Sequence, residues 1–169
     1  VPEDIAHLID LYDDEIVYFD TNFRRLLDGV KERGLSDDTI IVLLSDHGED
    51  FLERSDIKHC RSLHEPPIWT PIVLRIPGVE GRQSFDAAVG NIDVAPTLLD
   101  YSGIDATGQD YEGRSLRAVI EGTSESAAQV FSSWQSRRSV VEGAHKLILD
   151  RRTDEQQLFD VVSDPLERT

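Results

Sequence analysis

The chain reads as an α/β fold: a mixed sheet sandwiched by helices, followed by a small C-terminal α+β subdomain. Three stretches predict this. From Pro2 onward, Ile5, Leu8, Ile9, Tyr12, Ile16, Phe19, Phe23, Leu26, Leu27 and Val30 recur at three- and four-residue steps, the period of one long amphipathic helix. Ile40 to Leu44 is a short continuous apolar run rich in β-branched residues, which reads as a parallel-type strand buried on both faces. After the small-residue linker Thr123 to Ala128, short apolar segments separated by turn residues predict further strands.

The elements follow in order. Pro2 suits the first turn of the long helix and Gly34 its stop. Ser36-Asp37-Asp38 is turn chemistry leading into the 40–44 strand. Residues 49–67 carry much charge and end in Pro66-Pro67, so they read as a loop over the carboxyl edge of the sheet. Ile72 to Ile76 is a second strand, closed by Pro77-Gly78. Asp93 opens a short helix through Leu99, with Pro96 tolerated in its first turn and Gly103 ending it. Residues 108–122 form a connector with a short helical piece. Val130 to Trp134, Ser139 to Glu142 and His145 to Leu149 are the predicted C-terminal strands, the last two joined as a hairpin at Gly143-Ala144. Residues 1–122 and 123–169 are the expected two units.

The 40–44 strand runs straight into Ser45-Asp46-His47-Gly48-Glu49-Asp50. Open α/β sheets hold ligands just beyond the carboxyl ends of their strands. Asp46 offers a hard anionic oxygen and a neutral His47 a nitrogen, a pair suited to a divalent cation. Gly48 allows the tight turn that would aim both side chains one way. On local pattern alone a second reading is open, a polar junction with Asp46 as a cap. Three consecutive acids at Asp13-Asp14-Glu15 point in different directions on a helix and read as a solvated face.

His59 follows His47 by twelve positions, and then come Ser62-Leu63-His64-Glu65 and Pro71-Ile72-Val73-Leu74-Arg75-Ile76-Pro77-Gly78. Farther on are Asn91-Ile92-Asp93-Val94-Ala95-Pro96-Thr97-Leu98-Leu99, Gly113-Arg114-Ser115-Leu116, His145-Lys146-Leu147-Ile148, Leu158-Phe159-Asp160 and Asp164-Pro165-Leu166-Glu167. Taken in this order, the passage resembles the C-terminal half of a sulfatase, in the alkaline-phosphatase-like superfamily of metal-dependent ester hydrolases. The resemblance covers most of the chain and rests on these segments standing in the family's order.

The resemblance implies that residues 1–122 are the later part of a catalytic domain and 123–169 a small C-terminal subdomain. It implies that Asp46 and His47 are half of a divalent-metal site that polarises a sulfuryl oxygen and holds the nucleophile. Calcium is the implied ion. Manganese is the alternative, because His47 stands where many sulfatases have Asn. His59, at the spacing where the family places a Lys or His, is the implied catalytic group assisting the leaving alcohol; adjacent Lys58 leaves the register open by one residue. His64, where the family often has Tyr, reads as packing, and Lys146 as structural. Trp69 and Trp134 read as packing rather than as stacking platforms. The family's formylglycine nucleophile arises in a Cys/Ser-x-Pro-x-Arg motif, which this sequence lacks; Cys60 is followed by Arg61-Ser62 and does not qualify. Together with Val1 as first residue and the absence of methionine, this reads as a segment of a longer enzyme. The substrate implied is a small sulfate ester. Alternatives are a phosphonate or phosphate ester hydrolase, a phosphoethanolamine transferase of the same superfamily, or a non-catalytic interaction domain.

Composition excludes other classes. Seventeen basic residues against thirty-three acidic ones give a formal charge of −16, which repels phosphate backbones and disfavours nucleic-acid binding. The acids are spread along the chain and only three of the bases are lysines, a pattern expected of a salt-adapted protein. No apolar run reaches the roughly 18 residues of a membrane span. One cysteine precludes an internal disulfide and leaves the compartment unknown. Apolar faces prepared for absent strands predict a homo-oligomer favoured by salt.

Overall fold

The structure is a computed structural model and describes residues 2–54, 57, 62–105, 108–124 and 129–168. Helix α1 spans Glu3–Glu32 as the periodicity predicts, and Gly34, at φ 69°, takes the left-handed conformation that stops it. Strand β1 (Ile41–Leu44) pairs with β2 (Ile72–Arg75), Ile41 opposite Arg75 and Leu44 opposite Ile72. This pairing is antiparallel, not parallel as the apolar run suggested. Nor is β1 buried on both faces: Ile41 to Leu43 are half-buried and Leu44 is exposed. Among the described residues β2 is the one strand that pairs with it. The apolar stripe of α1 is similarly open. Ile5 alone is buried, Tyr12 meets Phe51 edge-on, and Ile16, Phe19 and Leu26 are exposed.

Between the two strands lies α2 (Glu65–Ile68), a single turn where the sequence read as loop. Two well-built regions follow it in the chain. In the first, a short 3₁₀ turn over Asn91–Asp93 leads into α3 (Val94–Tyr101), and α4 (Arg117–Ile120) follows Gly113-Arg114-Ser115-Leu116. These segments clasp each other. The buried Asp93 carboxylate accepts hydrogen bonds from Gly90 N (2.9 Å) and Arg114 N (2.9 Å). Buried Thr97 Oγ1 donates to Asp93 O (2.6 Å) and accepts from Leu116 N (2.8 Å). Ser115 and Arg117 both reach Asp100, at 2.6 and 3.0 Å, and hold its carboxyl below the usual range. Gly113 is required here, since a Cβ would stand 2.0 Å from Ile92 O.

In the second, β3 (Val130–Trp134), β4 (Arg137–Glu142), β5 (His145–Asp150) and β6 (Glu155–Asp160) form an antiparallel meander in sequence order. The predicted hairpin at Gly143-Ala144 is present, and β6 is an additional strand that the polar Glu155-Gln156-Gln157 stretch concealed. One face of this sheet packs on the residues around α2: Leu63, Ile148 and Phe159 form a buried cluster with Ile68, Trp134 and Val161 against it. Trp134 therefore packs as expected, whereas Trp69 does not; it is 72% exposed.

Replacing Thr97 by Val keeps the volume and leaves the buried Leu116 N–H without an acceptor. Urea denaturation of Thr97→Val should show a loss of about 1–3 kcal/mol. A loss within ±0.5 kcal/mol would mean that the clasp holds no buried hydrogen bond of consequence.

Candidate functional site

β1 delivers its polar sequel to the mouth of a cleft. Just past Leu44, Asp46 and His47 both line a cavity of about 300 Å³, whose other walls include Thr70, Asn91 and Ser132 to Trp134 of β3. The two candidate ligands thus stand at the carboxyl end of the strand and open on one space, as their sequence position suggests.

Local hydrogen bonds explain how they are held. Asn91 Nδ2 donates to Ser45 O (2.8 Å), and Ser45 Oγ donates to His47 O (2.6 Å). Asp46 Oδ1 accepts from His47 N at 3.0 Å, while the carboxylate itself is 90% exposed. His47 Nδ1 lies 2.8 Å from Gly48 O. A carbonyl only accepts, so Nδ1 carries the proton and the lone pair of the neutral ring sits on Nε2. This is the arrangement by which proteins orient a metal-binding imidazole. Nε2 is 3.9 Å from Asp46 Oδ1, a separation that one cation can bridge with bonds of about 2.0–2.6 Å. The two donor types suit a divalent cation, and among the described residues no third His, Cys, Asp or Glu joins them. Gly48 is the only residue type possible at its position: a Cβ would meet Pro66 O at 2.2 Å. Gly48 N donates instead to Pro67 O at 2.9 Å.

The third predicted residue, His59, lies outside the described residues, as do Lys58 and Cys60. The two acids after Gly48 do not join the pair facing the cleft. Asp50 is 2% exposed, and burial, followed by a hydrogen bond with Glu53, raises its pKa.

An ionic centre, missed by the reading of residues alone, joins β5 to α2 and to Glu167. Lys146 on β5 is completely buried, with Nζ 2.8 Å from Glu65 Oε1 and 2.8 Å from Glu167 Oε1. Glu167 is also completely buried, and its other oxygen accepts from Glu65 N at 2.7 Å. The available signal was a lysine inside a run of apolar strand residues, His145-Lys146-Leu147-Ile148. Beside this cluster, His64 packs edge-on against Phe159, in keeping with the packing role read for it. Its Nε2 is 3.1 Å from the Arg54 guanidinium, which has only donors, so the ring is neutral. Burial first, then the charges of Arg54 and Lys146, lower the His64 pKa to about 4.

With this geometry in place, comparison with known proteins is decisive. The sulfatase family model matches residues 2–104, and the model for the N-sulphoglucosamine sulphohydrolase C-terminal region matches residues 57–169. The chain belongs to the sulfatase family. It is 30% identical over 163 residues to a choline-sulfatase of Rhizobium meliloti, covering 91% of this chain and 31% of that protein. It is 33% identical over 114 residues to an N-acetylglucosamine-6-O-sulfatase of Bacteroides thetaiotaomicron, covering 67% of this chain and 20% of the relative. A solved structure containing D-glucosamine-2-N,6-O-disulfate as substrate superposes with a TM-score of 0.80 at 27% identity, over 90% of this chain and 33% of that one. A phosphonate monoester hydrolase from Silicibacter pomeroyi gives a TM-score of 0.74 at 25% identity, over 86% and 35%. The fold is accordingly alkaline-phosphatase-like, and the chain spans about a third or less of the relatives it matches.

The neutral, enclosed His64 makes stability depend on pH. Between pH 6.5 and about 4 the unfolded chain takes up a proton that the folded ring refuses, so stability falls as pH drops through that window. At about 1.4 kcal/mol per unit, reduced for the partial solvation of the ring, the loss should be about 2 kcal/mol. Urea unfolding at pH 7 and pH 4.5 should show wild type losing this much more than His64→Phe. Equal losses would place the acid sensitivity elsewhere.

Proposed function

We propose that this chain is the C-terminal part of a sulfuric ester hydrolase, in which Asp46 and His47 furnish half of a divalent-metal site and a formylglycine-type nucleophile comes from outside the chain. The observation that carries this reading is the pair itself: a carboxylate and an oriented imidazole nitrogen, 3.9 Å apart, at the end of β1 and open to one cleft. The cation, when bound, supplies Lewis-acid stabilisation of charge on the ester oxygens. Asp46 contributes the anionic oxygen that calcium favours, and His47 Nε2 a nitrogen donor that also suits manganese. His59 donates a proton to the departing oxygen. Thr70, Ser132 and Ser133 line the cleft that would take a polar ester, and the sulfate esters named for the relatives are the substrate class of choice.

A second reading within the superfamily draws support from His47 and from the likeness to a phosphonate monoester hydrolase: the cleft accepts phosphonate esters as well. The acidic surface suits high salt, and the open faces of α1 and β1 support salt-dependent self-association. Sedimentation should show the 169-residue chain shifting from monomer toward dimer as ionic strength rises; a monomer at both extremes excludes that association.

The activity test uses the full-length polypeptide carrying this chain. Asp46→Asn and His47→Ala should each lower kcat/KM for sulfate esters on the order of a hundredfold or more, with partial recovery by added calcium or manganese. His59→Gln should slow alkyl sulfates by about a hundredfold or more while sparing nitrophenyl sulfate, whose leaving group needs no proton. The 169-residue chain alone should turn over neither. Full activity of the Asp46 and His47 variants would sink the metal assignment, and preferred turnover of phosphonates would favour the second reading.

A further inference from the structure

The buried ion cluster and the metal pair are joined by a short covalent and hydrogen-bonded path. Lys146 Nζ contacts Glu65 and Glu167, and Glu167 also accepts from the Glu65 backbone N–H. Glu65 begins α2, whose next two residues are Pro66 and Pro67. Pro67 O accepts from Gly48 N at 2.9 Å, and Gly48 O receives the His47 Nδ1 proton at 2.8 Å. Three consecutive contacts therefore connect a lysine of the C-terminal sheet to the imidazole that faces the cleft.

The path has little slack. One turn of helix is too short to hold itself. Pro66 and Pro67 have no N–H, and the bond from Trp69 N to Glu65 O (2.7 Å) closes α2 on its only turn. The place of the Pro67 carbonyl is therefore set by what grips Glu65. That grip is two completely buried charges plus a charged oxygen on an N-terminal amide, contacts that tolerate little displacement. At the far end, Gly48 stands against the α2 backbone with no space for a side chain, so a shift of α2 moves Gly48 directly.

We propose that Lys146 is a positioning residue for the metal histidine: through Glu65 and α2 it fixes Gly48, and Gly48 fixes the tautomer and direction of the His47 ring. This rests on the metal reading of Asp46 and His47 and adds to it a lysine on a different sheet. The C-terminal sheet is thereby part of the site's framework, and its attachment sets the affinity of the metal pair.

The experiment compares the wild-type chain with Lys146→Met, which keeps the stem and removes the charge, and with Glu65→Gln, which keeps an acceptor for Nζ. Amide exchange reads the Gly48 N–H, with Leu116 N–H of the clasp as internal reference, and Mn²⁺-induced broadening of the His47 ring reads the metal pair. Lys146→Met should speed Gly48 exchange relative to Leu116 by about tenfold or more and weaken Mn²⁺ binding about 10–100-fold, while Glu65→Gln stays near wild type in both. Unchanged Gly48 exchange in Lys146→Met, or equal acceleration at Gly48 and Leu116, overturns the proposal, the latter because it marks general destabilisation. Should Lys146→Met not fold, Glu65→Ala leaves Lys146 paired with Glu167 and carries the same comparison. If Mn²⁺ leaves the His47 signals of wild type untouched, the metal reading fails, and the Gly48 arm still decides the positioning.

Discussion

A lysine ammonium with no access to water is tolerable only where anionic oxygens replace its hydration. Lys146 meets that condition with two carboxylates at 2.8 Å, one from α2 and one from the last described turn of the chain. Three segments remote in sequence must therefore meet at one point before the charge can be buried. Apolar contact among Leu63, Ile148 and Phe159 is non-directional, whereas the hydrogen bond from Lys146 Nζ to Glu65 has a geometry to keep. The sheet of β3 to β6 is pinned in register against α2, and the wall that β3 gives to the cleft inherits its position from that pin.

The cleft itself joins two kinds of construction. Asp46 and His47 come from a strand end, the usual place for ligands in α/β folds. The opposite wall comes from an antiparallel meander that belongs to no such scheme. Around the strand end, backbone contact is so close that only glycine fits, at Gly48 against α2 and at Gly113 against Ile92. Tight backbone approach leaves fewer ways for the walls to move than side-chain packing does.

Much of this was legible in the residues. The period of α1, the apolar runs of β1 and β2 and the Gly143-Ala144 hairpin each depend on local pattern, and local pattern located them. The placement of Asp46 and His47 followed from β1. His59 stands outside the described residues, so the reading of it rests on the sequence. Features that depend on distant partners were hidden. Glu167 bonds to Glu65 across 102 positions, and nothing beside it in sequence marks it as buried. Pro66-Pro67 looked like loop because prolines break long helices, yet they suit the first turn of a short one. The antiparallel pairing of β1 escaped notice because an apolar run reports burial, not direction. Its partial exposure escaped notice because burial depends on neighbours and not on the strand alone.

The clasp around Asp93 and Thr97 also fastens the two ends of residues 102–112 to each other, since α3 precedes that stretch and Gly113 to Leu116 follow it. With its ends fixed by the clasp, lengthening the connection between them would add loop-closure entropy alone. Closure entropy grows only with the logarithm of loop length, so doubling such a loop costs about 0.6 kcal/mol, less than one good buried hydrogen bond contributes. A longer connection between α3 and Gly113 would therefore leave the clasp, and the residues that face the cleft, in place.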